Sequence, residues 1–264
     1  MATTNQELFH RVDSWEDALR LSKGYEDPKL INSYVDSLLK DPPWKDRDSL
    51  YFTNREIELI CAFQRILAVG TPFSRLDEKV RVLDIGGGNG YLGVSLRRML
   101  PEVFWEWIVI ESNACASAYS KFENNVNIKW ASIDSFDWTH SSNIGLFSCS
   151  LQYFEAPEQI LRQIAANCEF LVLMRLPIVD TASHILTTQS FCEGLHQVPD
   201  ASWPHWFFSR VCLLDLITEV GDIIYQWKTP TESYLFEGNR IVLEGLLINT
   251  HRSSMISANN GAAT

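Results

Sequence analysis

Val82-Leu83-Asp84-Ile85-Gly86-Gly87-Gly88-Asn89-Gly90 is an apolar strand that carries a carboxylate near its end and runs directly into a glycine-rich turn. A helix-like stretch, 91–100, follows at once. Glycine permits φ > 0 and a close approach of backbone to ligand, and the next helix offers unpaired N–H groups at its start. The segment reads as the first strand, turn and helix of an α/β fold, with a nucleotide-like ligand at the turn.

Two cofactors compete for that turn. Gly88-Asn89-Gly90-Tyr91-Leu92-Gly93 satisfies the GxGxxG pattern of dinucleotide sites, which is weak by itself. Asp84 discriminates, because a carboxylate at the strand end repels a pyrophosphate and attracts the ammonium of S-adenosyl-L-methionine, directly or through water. A second acid has the right place: Trp107-Ile108-Val109-Ile110-Glu111 reads as the next parallel strand and ends in Glu111, 27 residues beyond Asp84. An acid there accepts hydrogen bonds from ribose hydroxyls in either cofactor class, so only the pair of acids is selective.

Composition narrows the class. At 264 residues with 46% hydrophobic and 12% aromatic content, the chain buries a sizeable core and is not disordered. The net charge of −11 and the absence of a basic patch argue against a nucleic acid partner. Six cysteines, Cys61, Cys115, Cys149, Cys168, Cys192 and Cys212, are widely spaced without a CxxC pair and read as reduced core thiols. Cys192 and His196 are four apart, but no second ligand pair completes a metal site. The N-terminus lacks a basic-then-apolar signal and no run of about 18 apolar residues exists, so the expectation is a cytoplasmic chain with no membrane span.

Residues 1–79 read as an N-terminal helical cap, 80–250 as the cofactor-binding core and 251–264 as a disordered tail rich in Ser, Asn, Gly and Ala. In the cap, Leu8, Val12, Trp15 and Leu19 predict a first helix, Asp27-Pro28 opens a second, and a third spans about 54–69. Gly24-Tyr25 separates the first two and places Tyr25 in a loop able to close over cofactor. From residue 80, strands near 80–85, 105–111, 127–131, 144–150 and 170–175 alternate with helices near 91–100, 113–123 and 157–167. Ser209 caps a helix that runs to Val220, and two last strands, 222–227 and 240–249, are joined too closely for a crossover and pair antiparallel.

That ending, with the glycine turn and the two acids, resembles class I S-adenosylmethionine-dependent methyltransferases over about residues 14–248. More narrowly it resembles a methyltransferase family of unassigned substrate, linked to surface-polysaccharide or natural-product pathways. Trp15 with Ala18, Gly24-Tyr25, Asp48, Ser150-Leu151-Gln152-Tyr153, Arg175 with Pro177, Gln189 and Ser202-Trp203-Pro204-His205-Trp206 carry the narrower likeness. The resemblance implies a Rossmann-like α/β fold, a seven-stranded, mostly parallel sheet with an antiparallel last strand. It also implies that Asp84, Gly86 and Gly88 shape the methionine end of the site, that Glu111 holds ribose, and that Ser132 and Ile133 lie near adenine, with Ser150 and Tyr25 completing the cofactor site. Asp134 falls one or two positions late for the acid that many relatives place near adenine, and Asn143-Ile144 replaces an Asp that often opens the fourth strand.

Ligands of open α/β sheets bind beyond the carboxyl ends of the strands. Tyr153 and Arg175 fall on that edge, Arg175 as an anchor for a substrate carboxylate or phosphate or as an ion-pair partner of a cap residue such as Asp48. His205, flanked by Trp203-Pro204 and Trp206, is the candidate base for an acceptor hydroxyl. The expected activity is methyl transfer to a small molecule, at a hydroxyl oxygen of a sugar-derived or natural-product intermediate, without a metal. Rivals at this point are N- or C-methylation, a noncatalytic scaffold that keeps the cofactor fold, and an NAD(P)-dependent oxidoreductase.

Overall fold

The computed structural model describes residues 8–23, 27–40, 42, 52–69, 79–103, 105–123, 127–138, 141–190 and 201–251. The first elements are β1 (Phe9–Arg11), α1 (Trp15–Leu21), α2 (Pro28–Lys40) and α3 (Asn54–Ala68). The alternating part follows as β2 (Val80–Ile85), α4 (Tyr91–Met99), β3 (Trp105–Glu111), α5 (Asn113–Ser120), β4 (Ile128–Ser132), β5 (Ser142–Ser148), α6 (Pro157–Asn167) and β6 (Cys168–Leu176). Short strands β7 (Ile178–Val179), β8 (Ile185–Ser190) and β9 (Ser202–Ser209) lead to α7 (Arg210–Val220) and the hairpin β10 (Gly221–Phe236) and β11 (Asn239–Thr250).

Helix starts follow local chemistry. Thr53 and Glu56 form a reciprocal capping box on α3. Pro157 opens α6, and the Ser209 hydroxyl accepts from the N–H of Cys212 at the start of α7.

Seven strands form one sheet in the order β10-β11-β6-β5-β2-β3-β4. β4, β3, β2, β5 and β6 are mutually parallel, and β11 is antiparallel to both β6 and β10. The chain leaves β2 toward β3 and β4, then returns to β5 on its other side. The carboxyl ends of β2 and β5 therefore flank the switch point, where open α/β sheets bind ligands. Glu237 and Gly238, at φ 48° and 75°, make the two-residue turn between β10 and β11, a backbone suited to a tight hairpin.

Apolar side chains cover both sheet faces. One cluster joins α2, α3, α4 and α5 to the sheet, and the other joins α6 and α7. Leu59, Phe63 and Ile66 of α3 are at most 1% exposed. Burial of each side chain contributes about 1.5–3 kcal/mol, enough to fix α3 and the polar residues at its start.

Two sequence expectations need correction. The stripe Leu8, Val12, Trp15 and Leu19 predicts one helix, yet residues 9–11 form β1, antiparallel to β8, and α1 begins only at Trp15 behind its Ser14 cap. Phe9 decides the matter by packing against Phe207 and Phe236. A second sheet, β1-β8-β9-β7, is absent from the sequence reading. Its β9 contains Pro204, which usually argues against a strand. Pro204 pairs with Thr188 on one side, while among the described residues only Lys23 and β7 reach the other side, at the two ends of β9. The missing N–H therefore interrupts no second ladder.

Candidate functional site

The glycine turn rises from the end of β2 with Gly86, Gly88 and Gly90 at φ 69°, 57° and 71°. The Gly86 N–H donates to the Ile110 carbonyl (2.8 Å), which binds the turn to β3. A Cβ on Gly86 would lie 2.6 Å from Ser150 Cβ, and one on Gly87 would lie 2.3 Å from the Asp84 carboxyl carbon. Among the described residues nothing stands within 4 Å of a carbon added at Gly88. The turn is thus packed hard from below and open above, the form of a backbone cradle.

Beneath it, Asp84 is fully buried. Its Oδ2 accepts the Trp107 indole N–H (3.0 Å), and its Oδ1 has no partner among the described residues. Burial pushes the carboxyl up to about 7, the Glu111 charge adds to the rise, and Trp107 and Arg55 oppose it. At the end of β3, Glu111 Oε1 accepts the Gly88 N–H (2.8 Å) and Oε2 accepts the Ser112 N–H (3.3 Å). Burial raises its pKa as well, against those two hydrogen bonds. Two acids with elevated pKa values under one glycine turn favour a ligand that brings positive charge and hydroxyl donors.

A cleft of about 250 Å³ opens over the switch point. Gly86, Glu111, Ile133, Ser150 and Tyr153, all expected from sequence, line it, with Ile110, Ser112, Cys149 and Phe154. The Ser150 hydroxyl donates to the Ile85 carbonyl and so ties the end of β5 to the end of β2. Ser132 does not line the cleft; its hydroxyl accepts the Asp134 N–H in the turn after β4 (3.3 Å). Gly88 holds Glu111 through its N–H and accepts the Trp130 indole N–H at its carbonyl (2.8 Å). Tyr25 and Asp48 lie outside the described residues, as do Cys192 and His196.

Two residues escaped the sequence reading. Arg55, at the start of α3, donates to the Ser148 hydroxyl (2.8 Å) and carbonyl (2.7 Å), bringing a cation from the cap to the floor of the site. No local pattern marks it, since the contact spans 93 residues. Cys149 reads as a core thiol in sequence, but it is half-buried, lines the cleft and sits at φ 61°. Arg175, at the end of neighbouring β6, has the same φ of 61°. Left-handed conformations at side-chain-bearing residues cost about 1 kcal/mol or more and gather at functional sites. Here two lie on adjacent strand ends, with the Cys149 N–H bonded to the Met174 carbonyl (3.0 Å).

The three substrate-side candidates come together, with altered roles. The Arg175 guanidinium pairs with Glu232 of β10, so it offers no free charge to an anionic substrate. The Tyr153 hydroxyl donates to Gln189 Oε1 (2.9 Å). His205 is fully buried on β9, with Phe9, Phe207, Tyr153 and Tyr234 rings 4.9–5.5 Å away. Among the described residues neither ring nitrogen has a partner, and burial drives its pKa down to about 3. An imidazole so hard to protonate is a poor proton acceptor at neutral pH, contrary to the base role expected from sequence. His184 is structural: its Nδ1 accepts the Ser209 N–H (2.9 Å).

No family model matches the sequence. No curated protein matches it either. Solved structures do. The N-terminal domain of EvdMO1, crystallised with SAH (S-adenosylhomocysteine) bound, aligns over 86% of this chain and 100% of that one at 12% identity, with a TM-score of 0.51. LepI in complex with SAM aligns over 90% of this chain and 55% of that one, at 12% identity and a TM-score of 0.48. The mitomycin 7-O-methyltransferase MmcR aligns over 90% and 61%, at 16% identity and a TM-score of 0.44. With its strand order, the chain has the Rossmann-like seven-stranded fold of class I methyltransferases. Among the described residues, no helix is long and apolar enough to cross a membrane and no cluster of His, Cys, Asp and Glu is placed to hold a metal.

Proposed function

We propose that this chain is an S-adenosyl-L-methionine-dependent methyltransferase that acts on a small-molecule acceptor, with a hydroxyl oxygen as the receiving atom. The observation that carries the reading is the open glycine cradle with Asp84 buried beneath it and Glu111 at its side. Crystallisation of the EvdMO1 domain with SAH bound supports the same cofactor class.

The residues fit that cofactor. Gly86 to Gly88 would receive its methionine end, the unpartnered Oδ1 of Asp84 would lend negative potential toward its ammonium, and Glu111 would accept from its ribose hydroxyls. Ile133 and Phe154 supply apolar lining suited to adenine. When bound, the cofactor supplies an electrophilic methyl group that needs no further activation. Cys149 and Ser150, beyond the carboxyl end of β5, then flank the acceptor oxygen and exclude water. Alignment carries the catalysis: the acceptor oxygen takes the methyl as the S–CH3 bond breaks, the thioether leaves with the bonding pair, and the hydroxyl proton is lost to bulk water as product departs, because His205 is a poor acceptor for it.

The test is conversion of methyl-labelled S-adenosylmethionine in the presence of fractionated small metabolites, with product analysis by mass and NMR. Formation of an O–CH3 product supports the reading. An N–CH3 or C–CH3 product would move the acceptor atom, and cofactor binding without turnover on any fraction would favour the scaffold rival.

A further inference from the structure

Tyr153 has a second side. Its ring faces the cleft, but it also lies 5.4 Å from the His205 ring and edge-on to Trp203. Register explains why. On β8 and β9, Thr187 pairs with His205 and Gln189 with Trp203, and Phe9 of β1 pairs with Gln189. These residues share one face of the small sheet, and that face meets Tyr153, just beyond β5, through the Gln189 hydrogen bond and the His205 ring, while Tyr234 joins His205 to Cys149.

Buried hydrogen-bonding capacity here exceeds what the protein satisfies. Among the described residues, both ring nitrogens of His205 lack partners, and so does Oε1 of Gln152, whose Nε2 donates to Cys149 Sγ (3.2 Å). Both side chains are fully buried. Unmet buried polar atoms are costly and are ordinarily removed by packing or satisfied by a partner. Two such side chains beside the same tyrosine need a reason. Charge is already neutralised there, since Arg175 is paired with Glu232. What the cluster lacks is neutral donors and acceptors.

We propose that the polar cluster behind Tyr153 is the acceptor subsite, and that it selects a small, neutral, polyhydroxylated molecule whose hydroxyls bond to His205 and Gln152. The inference rests on the methyltransferase reading and adds the acceptor's chemical class and two specificity-determining residues. The depressed basicity of His205 agrees with it, because a neutral imidazole can both donate and accept. Tyr153 stands between cleft and cluster, so its ring must turn aside as the acceptor enters, giving up its bond to Gln189.

Two measurements on the full chain test this. First, His205→Phe in the ligand-free protein keeps the ring and removes both unmet nitrogens, and should raise the thermal midpoint by about 2–4 °C. Gln152→Met, which removes the unmet Oε1, should not lower it. A lowered midpoint in both variants would show groups that the fold needs, and would overturn the proposal. Second, saturation-transfer NMR on the SAH-loaded chain compares methyl glycosides of glucose, galactose and 6-deoxyhexoses with glucuronate and p-cresol. A glycoside should bind best, and His205→Phe should weaken it at least about tenfold while SAH affinity holds. Preference for glucuronate or cresol, glycoside binding indifferent to His205→Phe, or no glycoside binding while SAH still binds would each refute the subsite and leave the methyltransferase reading standing. Failure of SAH itself to bind refutes that reading instead, and the ligand-free midpoints still decide whether His205 and Gln152 are kept at a cost to stability.

Discussion

Replacing Asp84 with Asn should make the ligand-free protein more stable and the cofactor weaker. Asp84 carries an unpartnered Oδ1 in a fully buried setting, and its carboxyl is pushed to about 7 from an ordinary 3.8. In the folded chain it therefore keeps its proton well above the pH at which the unfolded chain releases it. The sign follows: the stability from that proton is full below about pH 4, declines as pH rises, and is gone above about pH 7. The ceiling on the loss is about 4 kcal/mol, at 1.36 kcal/mol per pH unit. The amide introduced by Asp84→Asn keeps an oxygen for the Trp107 indole N–H and cannot ionise, so the variant should lose this decline and gain about 2–4 kcal/mol over the parent at pH 8. Urea unfolding of both proteins from pH 4 to 8 measures the difference, which cancels titrations common to the two. Calorimetry with SAH supplies the other half: affinity should rise with pH through 7 in the parent, and should be flat and about tenfold or more weaker in the variant. A variant no more stable at pH 8, or a difference independent of pH, would refute the reasoning about the buried carboxylate.

Other changes report on separate parts of the account. Glu111→Ala should weaken SAH by about 1–3 kcal/mol in a calorimetric titration while circular dichroism stays that of the parent. Gly87→Ala, whose new carbon would fall 2.3 Å from the Asp84 carboxyl carbon, should destabilise the fold by about 1–3 kcal/mol, read as a lower thermal midpoint. Glu106, held down to about 2 with Lys79, Arg81 and Lys129 at 2.7–3.0 Å, contributes stability that is present above about pH 4.5 and lost as pH falls toward 2. Glu106→Gln should cost about 1–2 kcal/mol at pH 7 after allowance for the exposed lysines, and nothing near pH 2.

The glycine turn and its two acids, proposed as the cofactor half, are readable in the sequence because they are local. A strand, a glycine turn and a helix are contiguous, and the second acid follows one crossover later, so Asp84, Gly86, Gly88 and Glu111 fall together by chain order alone. The substrate half is assembled over long range. Arg55 meets Ser148 across 93 residues, and Arg175 meets Glu232 on a strand that reads as a loop. The small sheet is hidden by its own burial: β8 is covered on both faces and shows no alternation, and β9 contains a proline. His205 illustrates the consequence. Sequence marks an aromatic, proline-stiffened histidine as a base candidate, but protonation depends on burial by Phe9, Phe207 and Tyr234, which come from three separate elements.

The glycine turn with its two acids is proposed to bind S-adenosylmethionine rather than a dinucleotide. Calorimetric titration of the full chain with SAH, NAD and NADP tests it most directly. One SAH site per chain, weakened by Glu111→Ala, and no heat from either dinucleotide are the expected results. Tighter binding of NAD or NADP than of SAH would contradict it.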